Sequence, residues 1–127
     1  GCFQMTCQEL ITASTENIPV KVVVFNNGNH GMVRQWQKIF YNSKFSASEL
    51  THHTPDYVKL AESMGAVGLR MTKKDEVKKI FTEMLNINDK PVLIDCVVDP
   101  DDMVFPMVPA GGSNDQIIMN KEDLKQL

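Results

Sequence analysis

Cysteine is scarce in this chain. Cys2, Cys7 and Cys96 are the only three among 127 residues, and they form no CxxC and no zinc-type spacing. An odd count argues against a disulfide scaffold and for free thiols in a reducing compartment. Cys7 and Cys96 are expected to pack as small hydrophobes. Long apolar runs are also missing: nothing approaches the ~18 residues of a membrane span, and no signal peptide is expected. Basic excess is absent, with 13 Lys and Arg against 16 Asp and Glu and a net charge of −3. That leaves no electrostatic case for nucleic acid or an anionic membrane. The nearest basic cluster, Lys73, Lys74, Lys78 and Lys79, is interrupted by acids and suits a solvated helix face. His52 and His53 have no further ligand at metal spacing. Repeats, low-complexity tracts and domain linkers are lacking before the tail. An initiator Met is lacking too, and "GCFQMTCQEL" reads as the middle of a structural unit in a longer protein.

What remains is an ordinary globular composition, 43% hydrophobic and 23% charged, enough for one domain's core. Phe3, Cys7, Leu10, Ile11 and Ser14 recur at helical spacing and predict a helix over 3–16, ended by Pro19. "VKVVVF", residues 20–25, is short and β-branched, the mark of a strand covered on both faces. Met32, Val33, Trp36, Ile39 and Phe40 return to the helical period. Residues 41–53 show no period. In "TPDYVKLAESMG", Thr54 is the predicted cap, Pro55 the first helical residue and Gly65 the left-handed stop. "AVGLRM" is a second strand. "TKKDEVKKIFTEML" is a helix opened by Thr72 with Asp75 in a weak capping box, burying Val77, Ile80, Phe81, Met84 and Leu85. "KPVLIDCVVD" is a third strand. The tail resists regular structure, with a last short helix near 121–126. Strands alternating with helices predict an α/β fold: a parallel sheet with helices on both faces.

In such sheets ligands bind beyond the carboxyl ends of the strands. Two sites there suit a diphosphate. Gly1 precedes a helix, whose first N–H groups are free for phosphate. Asn26-Asn27-Gly28-Asn29 follows a strand and offers amide and carbonyl oxygens, hard ligands suited to magnesium held between protein and phosphate. Taken locally, the same four residues also suit an ordinary turn.

A glycine at a helix start, 25 residues before a double Asn that closes an apolar strand, is similar to the thiamine diphosphate signature. Gly1 would be the third residue of its Gly-Asp-Gly opening. Around it, "FQMTCQEL", "PVKVVVFNN", "GMVRQWQ", "FY", "PDYVKLAESMG", "GLR", "KPVLIDCVVD" and "FPMVPAGGS" run in order to about Ser113. Together they resemble the C-terminal part of the acetolactate synthase (acetohydroxyacid synthase) catalytic subunit; "GMVRQWQ" followed by "FY" is the most specific of them.

The resemblance implies the diphosphate-binding domain of the thiamine-diphosphate fold, incomplete at its N-terminus, over 1–105. A tail or closing arm would follow over 106–127. Gly1 and Cys2 would give backbone N–H groups to phosphate, Cys2 standing where relatives often have Ser. Asn27 would bind magnesium through its side-chain oxygen and Asn29 through its carbonyl, where some relatives carry Glu. His30, Gly31 and Met32 would lie against the cofactor. Met32, Val33 and Trp36 would shape the pocket for the second substrate and for inhibitors. Plain core packing stays open for Met32 and Trp36, and an ordered surface tail for the arm.

The implied reaction decarboxylates pyruvate and joins the two-carbon unit to pyruvate or 2-ketobutyrate, a step of branched-chain amino-acid synthesis. FAD would sit mostly in a middle domain. The activating Glu would come from another domain of a neighbouring subunit, so no catalytic residue is expected here and the piece alone should be inactive. A homodimer or tetramer, a regulatory small subunit and a cytoplasmic location (an organelle in a eukaryote) are implied as well. A pyruvate oxidase or decarboxylase would share the diphosphate site, and a non-catalytic α/β module would use none of it.

Overall fold

The computed structural model describes residues 2–50 and 52–126. Three strands, β1 (Lys21–Asn26), β2 (Val67–Met71) and β3 (Val92–Val97), form one parallel sheet in the order β1-β3-β2. Ile94 of β3 pairs with Val23 on one side and Leu69 on the other. Among the described residues there are five α-helices: α1 (Cys2–Met5), α2 (Glu9–Thr15), α3 (Gly31–Phe40), α4 (Tyr57–Ser63) and α5 (Val77–Asn86).

β3, apolar except for Asp95, lies in the middle of the sheet, where both faces are covered. Leu93 packs with Leu10 of α2, Tyr57 and Ala61 of α4, and Val22 and Val24 of β1. Val92, Ile94 and Cys96 point the other way, onto Met84, Ile80 and Phe81 of α5 and Met71 of β2. Burying each large aliphatic side chain of this strand is worth about 1.5–3 kcal/mol. Helices thus cover both faces, as the alternating pattern predicts. Gly68 lets α4 lie close on β2: a Cβ there would sit 2.6 Å from the Val58 carbonyl oxygen.

Local details differ from the sequence expectations. The predicted 3–16 helix is two helices separated by a tight turn, in which Glu9 N–H donates to Thr6 and Leu10 N–H to Cys7. β1 is an edge strand and only half covered; its Phe25 is 74% exposed. The cap of α4 is Asp56, which accepts from the Val58 and Lys59 N–H groups, while Thr54 donates to the Leu50 carbonyl. The Thr54 hydroxyl is spent on the preceding loop, and the Asp56 carboxylate takes the first free N–H groups of the helix. Gly65, at φ +78°, ends α4 as expected. The turn before α5 is closed by Glu76 rather than Asp75: its carboxylate accepts from the N–H groups of Thr72 and Lys73. Those two bonds hold the Glu76 carboxyl below its ordinary range. Val77 and Leu85 are exposed, so the buried stripe of α5 is narrower than predicted. Cys96 is buried as expected, and Cys7 is half-buried. Among the described residues no helix is long and apolar enough to cross a membrane.

Candidate functional site

The strand β1 ends in Asn26, and the next three residues form a turn locked by its own amides. Asn26 Oδ1 accepts from Gly28 N–H at 3.1 Å. Asn27 Oδ1 accepts from Asn29 N–H at 3.0 Å, and Asn29 Nδ2 donates to the Asn27 carbonyl at 2.7 Å. Gly28 takes φ +66°, a left-handed geometry that glycine adopts without strain. A second segment braces the turn: Leu50 N–H donates to the Gly28 carbonyl and His30 N–H to the Ser48 carbonyl.

This turn has oxygens to offer a ligand. Asn29 Oδ1 is buried with no hydrogen-bond partner among the described residues, an arrangement that costs about 1–3 kcal/mol unless something completes it. Asn27 Oδ1 accepts one hydrogen bond and keeps a second lone pair. Gly31, at the start of α3, leaves room for the Asn27 amide, since a Cβ there would meet Asn27 Nδ2 at 2.8 Å. Among the described residues no three His, Cys, Asp or Glu side chains gather around one point. A cation bound here would therefore be held by amide and carbonyl oxygens together with oxygens of its ligand, the mode magnesium uses with phosphates. Asn26, Asn27 and Gly28 open onto a cleft of about 340 Å³ shared with Val97, Val98, Pro100 and Thr54. That cleft lies beyond the carboxyl ends of β1 and β3, where open α/β sheets bind ligands.

The helix α3 leads away from the turn. Its apolar side chains do not enter the sheet's core. Met32 is 52% and Val33 50% exposed, and with Trp36, Phe40 and Tyr41 they line an open cavity of about 740 Å³. Trp36 and Phe40 stack at a tilt, ring centres 4.8 Å apart. The buried residue of α3 is polar: Gln35 is 5% exposed. Arg34 beside it bonds Glu49 at 3.2 Å and Asp101 at 3.1 Å, and lies over the Phe45 ring. These contacts fix α3 against both flanking loops. Lys38 and Arg34 together hold the Asp101 carboxyl below its ordinary range.

A charged network that sequence reasoning missed lies beneath the turn. Asp95, in the middle of β3 and 3% exposed, accepts from Asn26 Nδ2 at 2.9 Å and from Arg70 Nε at 3.1 Å. Arg70 also bonds Asp56 at 2.6 Å. Desolvation pushes the Asp56 carboxyl up, but the Lys59 N–H, Arg70 and the Val58 N–H outweigh it and hold the group below its ordinary range. One sequence signal existed: an acid interrupting the apolar run "VLIDCVV".

Of the residues singled out from sequence, Asn27, Asn29 and Gly31 meet in one turn, while Met32, Val33 and Trp36 share the cavity beside it. His30 is exposed just ahead of α3, and its side chain makes no capping bond. Cys2 is exposed at the start of α1, a helix of only four residues. Gly1 lies outside the described residues.

Fold and turn together define an α/β domain with a candidate ligand site beyond the carboxyl ends of a parallel sheet. The model of the thiamine pyrophosphate enzyme C-terminal TPP binding domain matches residues 1–96, and the chain belongs to that family. It is 53% identical over 120 residues to acetolactate synthase large subunit IlvB1 of Mycobacterium tuberculosis, covering 92% of this chain and 19% of that protein. Identity is 49% over 120 residues to the acetolactate synthase large subunit of Corynebacterium glutamicum, with the same coverage. The large subunit of acetolactate synthase isozyme 2 of Escherichia coli is 39% identical over 118 residues, 93% of this chain and 21% of that protein. The chain thus spans about a fifth of the length of these relatives. Among solved structures, the thiamine diphosphate-dependent 4-hydroxybenzoylformate decarboxylase of Rhodococcus jostii RHA1 superposes with a TM-score of 0.64 at 28% identity, covering 74% of this chain and 17% of that one.

Proposed function

We propose that this chain is the diphosphate-holding part of an acetolactate synthase large subunit. In the whole enzyme pyruvate would be decarboxylated and its two-carbon unit joined to pyruvate or 2-ketobutyrate. The observation that carries this reading is the 53% identity over 92% of the chain, together with a turn whose oxygens suit magnesium. Asn27 would bind the metal through Oδ1 and Asn29 through its carbonyl. Gly1 and Cys2 would contribute N–H groups to phosphate, and His30, Gly31 and Met32 would lie against the cofactor. Thiamine diphosphate, when bound, supplies the electron sink for decarboxylation. The chain's own share is to hold the diphosphate and to wall off the acceptor pocket with Met32, Val33 and Trp36, keeping water from the reacting centre.

The same reading takes residues 1–105 as the domain proper and 106–127 as an arm over the site. It includes FAD and an activating Glu on other domains, a homodimer or tetramer, a regulatory small subunit and a cytoplasmic setting. The decarboxylase among the structural relatives supports a second reading, a decarboxylase or oxidase on the same diphosphate site. Product analysis of the whole enzyme with pyruvate separates them. Acetolactate supports the synthase; acetaldehyde or acetyl phosphate overturns it. The isolated 127 residues should form no acetolactate above a cofactor-only blank.

A further inference from the structure

A carboxylate in the central strand of a sheet needs a reason. Burying a carboxylate costs desolvation, and the Arg70 side chain paired with it is itself 43% exposed, so stability alone does not explain Asp95. What the carboxylate supplies is direction. An ionised carboxylate only accepts hydrogen bonds, whereas an amide donates at one end and accepts at the other. Asp95 Oδ1 takes Asn26 Nδ2 at 2.9 Å. The same amide must then turn Oδ1 the other way, where it receives Gly28 N–H at 3.1 Å. A flipped Asn26 would set its NH2 against the Gly28 N–H, donor facing donor, and would release the turn.

The rest of the network keeps Asp95 in place. Arg70 Nε bonds its second oxygen, and Arg70 is itself tethered to Asp56, the residue that caps α4. In the sheet register Arg70 pairs with Asp95, and Asp95 with Val24, two residues before Asn26. The network therefore crosses all three strands near their carboxyl ends, beneath the turn that carries Asn27 and Asn29.

We propose that Asp95 is a positioning residue for the metal-binding turn: it sets the orientation of the Asn26 amide and, through it, the presentation of the Asn27 and Asn29 oxygens. The inference rests on the reading of that turn as the magnesium site. Its test is calorimetric titration of magnesium, in the presence of thiamine diphosphate, into the whole enzyme. Wild type is compared with Asp95→Asn, Asn26→Ala, their double variant and Asn27→Ala. Residues supporting a metal's ligands typically contribute 10–100-fold to affinity. Asp95→Asn and Asn26→Ala should each raise the magnesium Kd by about 10-fold, and the double variant should be no weaker than the worse single one, because both break one relay. Asn26→Ala should stay folded with a lowered thermal midpoint in the absence of metal, because Asp95 Oδ1 and the Gly28 N–H lose their partner, and saturating magnesium should restore its cofactor binding.

If Asn27→Ala loses magnesium while Asp95→Asn and Asn26→Ala bind it normally, the inference fails and the site reading stands. Wild-type affinity in Asn27→Ala removes both. Additive losses in the double variant also overturn the relay. Should Asp95→Asn fail to fold, Asn26→Ala decides alone, since it leaves the Arg70–Asp95 pair intact.

Discussion

The side-chain amide of Gln35 holds the backbone of Val104 from both ends: Nε2 donates to the carbonyl at 3.0 Å and Oε1 accepts the N–H at 2.8 Å. Gln35 is the buried residue of α3, while Val104 is 63% exposed, so water can take over part of what is lost. Gln35→Leu should cost about 1 kcal/mol. The effect should be local. Amide hydrogen exchange at Val104 should quicken about 5-fold, by the rule that 1.36 kcal/mol is tenfold, while amides of β3 keep their protection. Uniform loss of protection across the sheet would contradict this picture.

Gly31→Ala separates stability from ligand binding. Gly31 is the first residue of α3 and is not left-handed, so alanine there gains about 0.4–1 kcal/mol through the unfolded chain. Yet the new Cβ would meet Asn27 Nδ2 at 2.8 Å and force that amide to rotate away from the Asn29 N–H. The variant should therefore unfold no more easily than wild type but bind magnesium at least several-fold more weakly in the whole enzyme. Paired urea denaturation and metal titration check it; unchanged metal affinity would count against the turn as the site.

Glu76 gives a pH signature. Its carboxyl is held below the ordinary glutamate value by bonds from the Thr72 and Lys73 N–H groups. A depressed folded pKa contributes stability that is complete above the ordinary value, and that stability is lost as pH falls through the folded one. Glu76→Gln should lower the urea midpoint at pH 7, and the gap to wild type should narrow at acid pH, as the folded carboxyl takes up its proton. A gap of the same size at both pH values would mean that the charge contributes nothing.

Gly68→Ala tests the closeness of α4 to the sheet. The clash is with backbone, the Val58 carbonyl at 2.6 Å, so no side chain can swing aside. A cost of about 1–3 kcal/mol is expected from such overpacking, read as a lower urea midpoint with unchanged slope.

The sequence made the sheet and the Asn turn legible for physical reasons. Strands buried in parallel sheets need continuous apolar runs, and a left-handed turn needs glycine where Gly28 stands. It hid what depends on register. Asp95 meets Asn26 and Arg70 only because β3 pairs with both flanking strands, and a lone acid in an apolar run does not name its partners. Helical periodicity likewise told which residues of α3 share a face, but not what that face meets: Met32, Val33 and Trp36 line an open cavity instead of the sheet's core. Over 3–16 it marked side-chain direction and missed the backbone break, because a tight turn keeps Leu10 facing the core. At α4 both Thr54 and Asp56 are cap-forming types, and the difference is that Thr54 bonds the Leu50 carbonyl while Asp56 takes the helix N–H groups.

The strand order carries a consequence for synthesis. The middle strand of the sheet is the last of the three to be made, and β1 and β2 touch it rather than each other. Among the described residues, β1 and β2 have no backbone partner until Val92–Val97 has emerged from the ribosome. Their apolar residues must wait for that strand, which makes this a late-closing unit with long-range contacts. While the emerged part of a nascent chain stops before Lys90, residues 2–89 should remain protease-sensitive, and once Asp99 has emerged they should acquire protection in a single step.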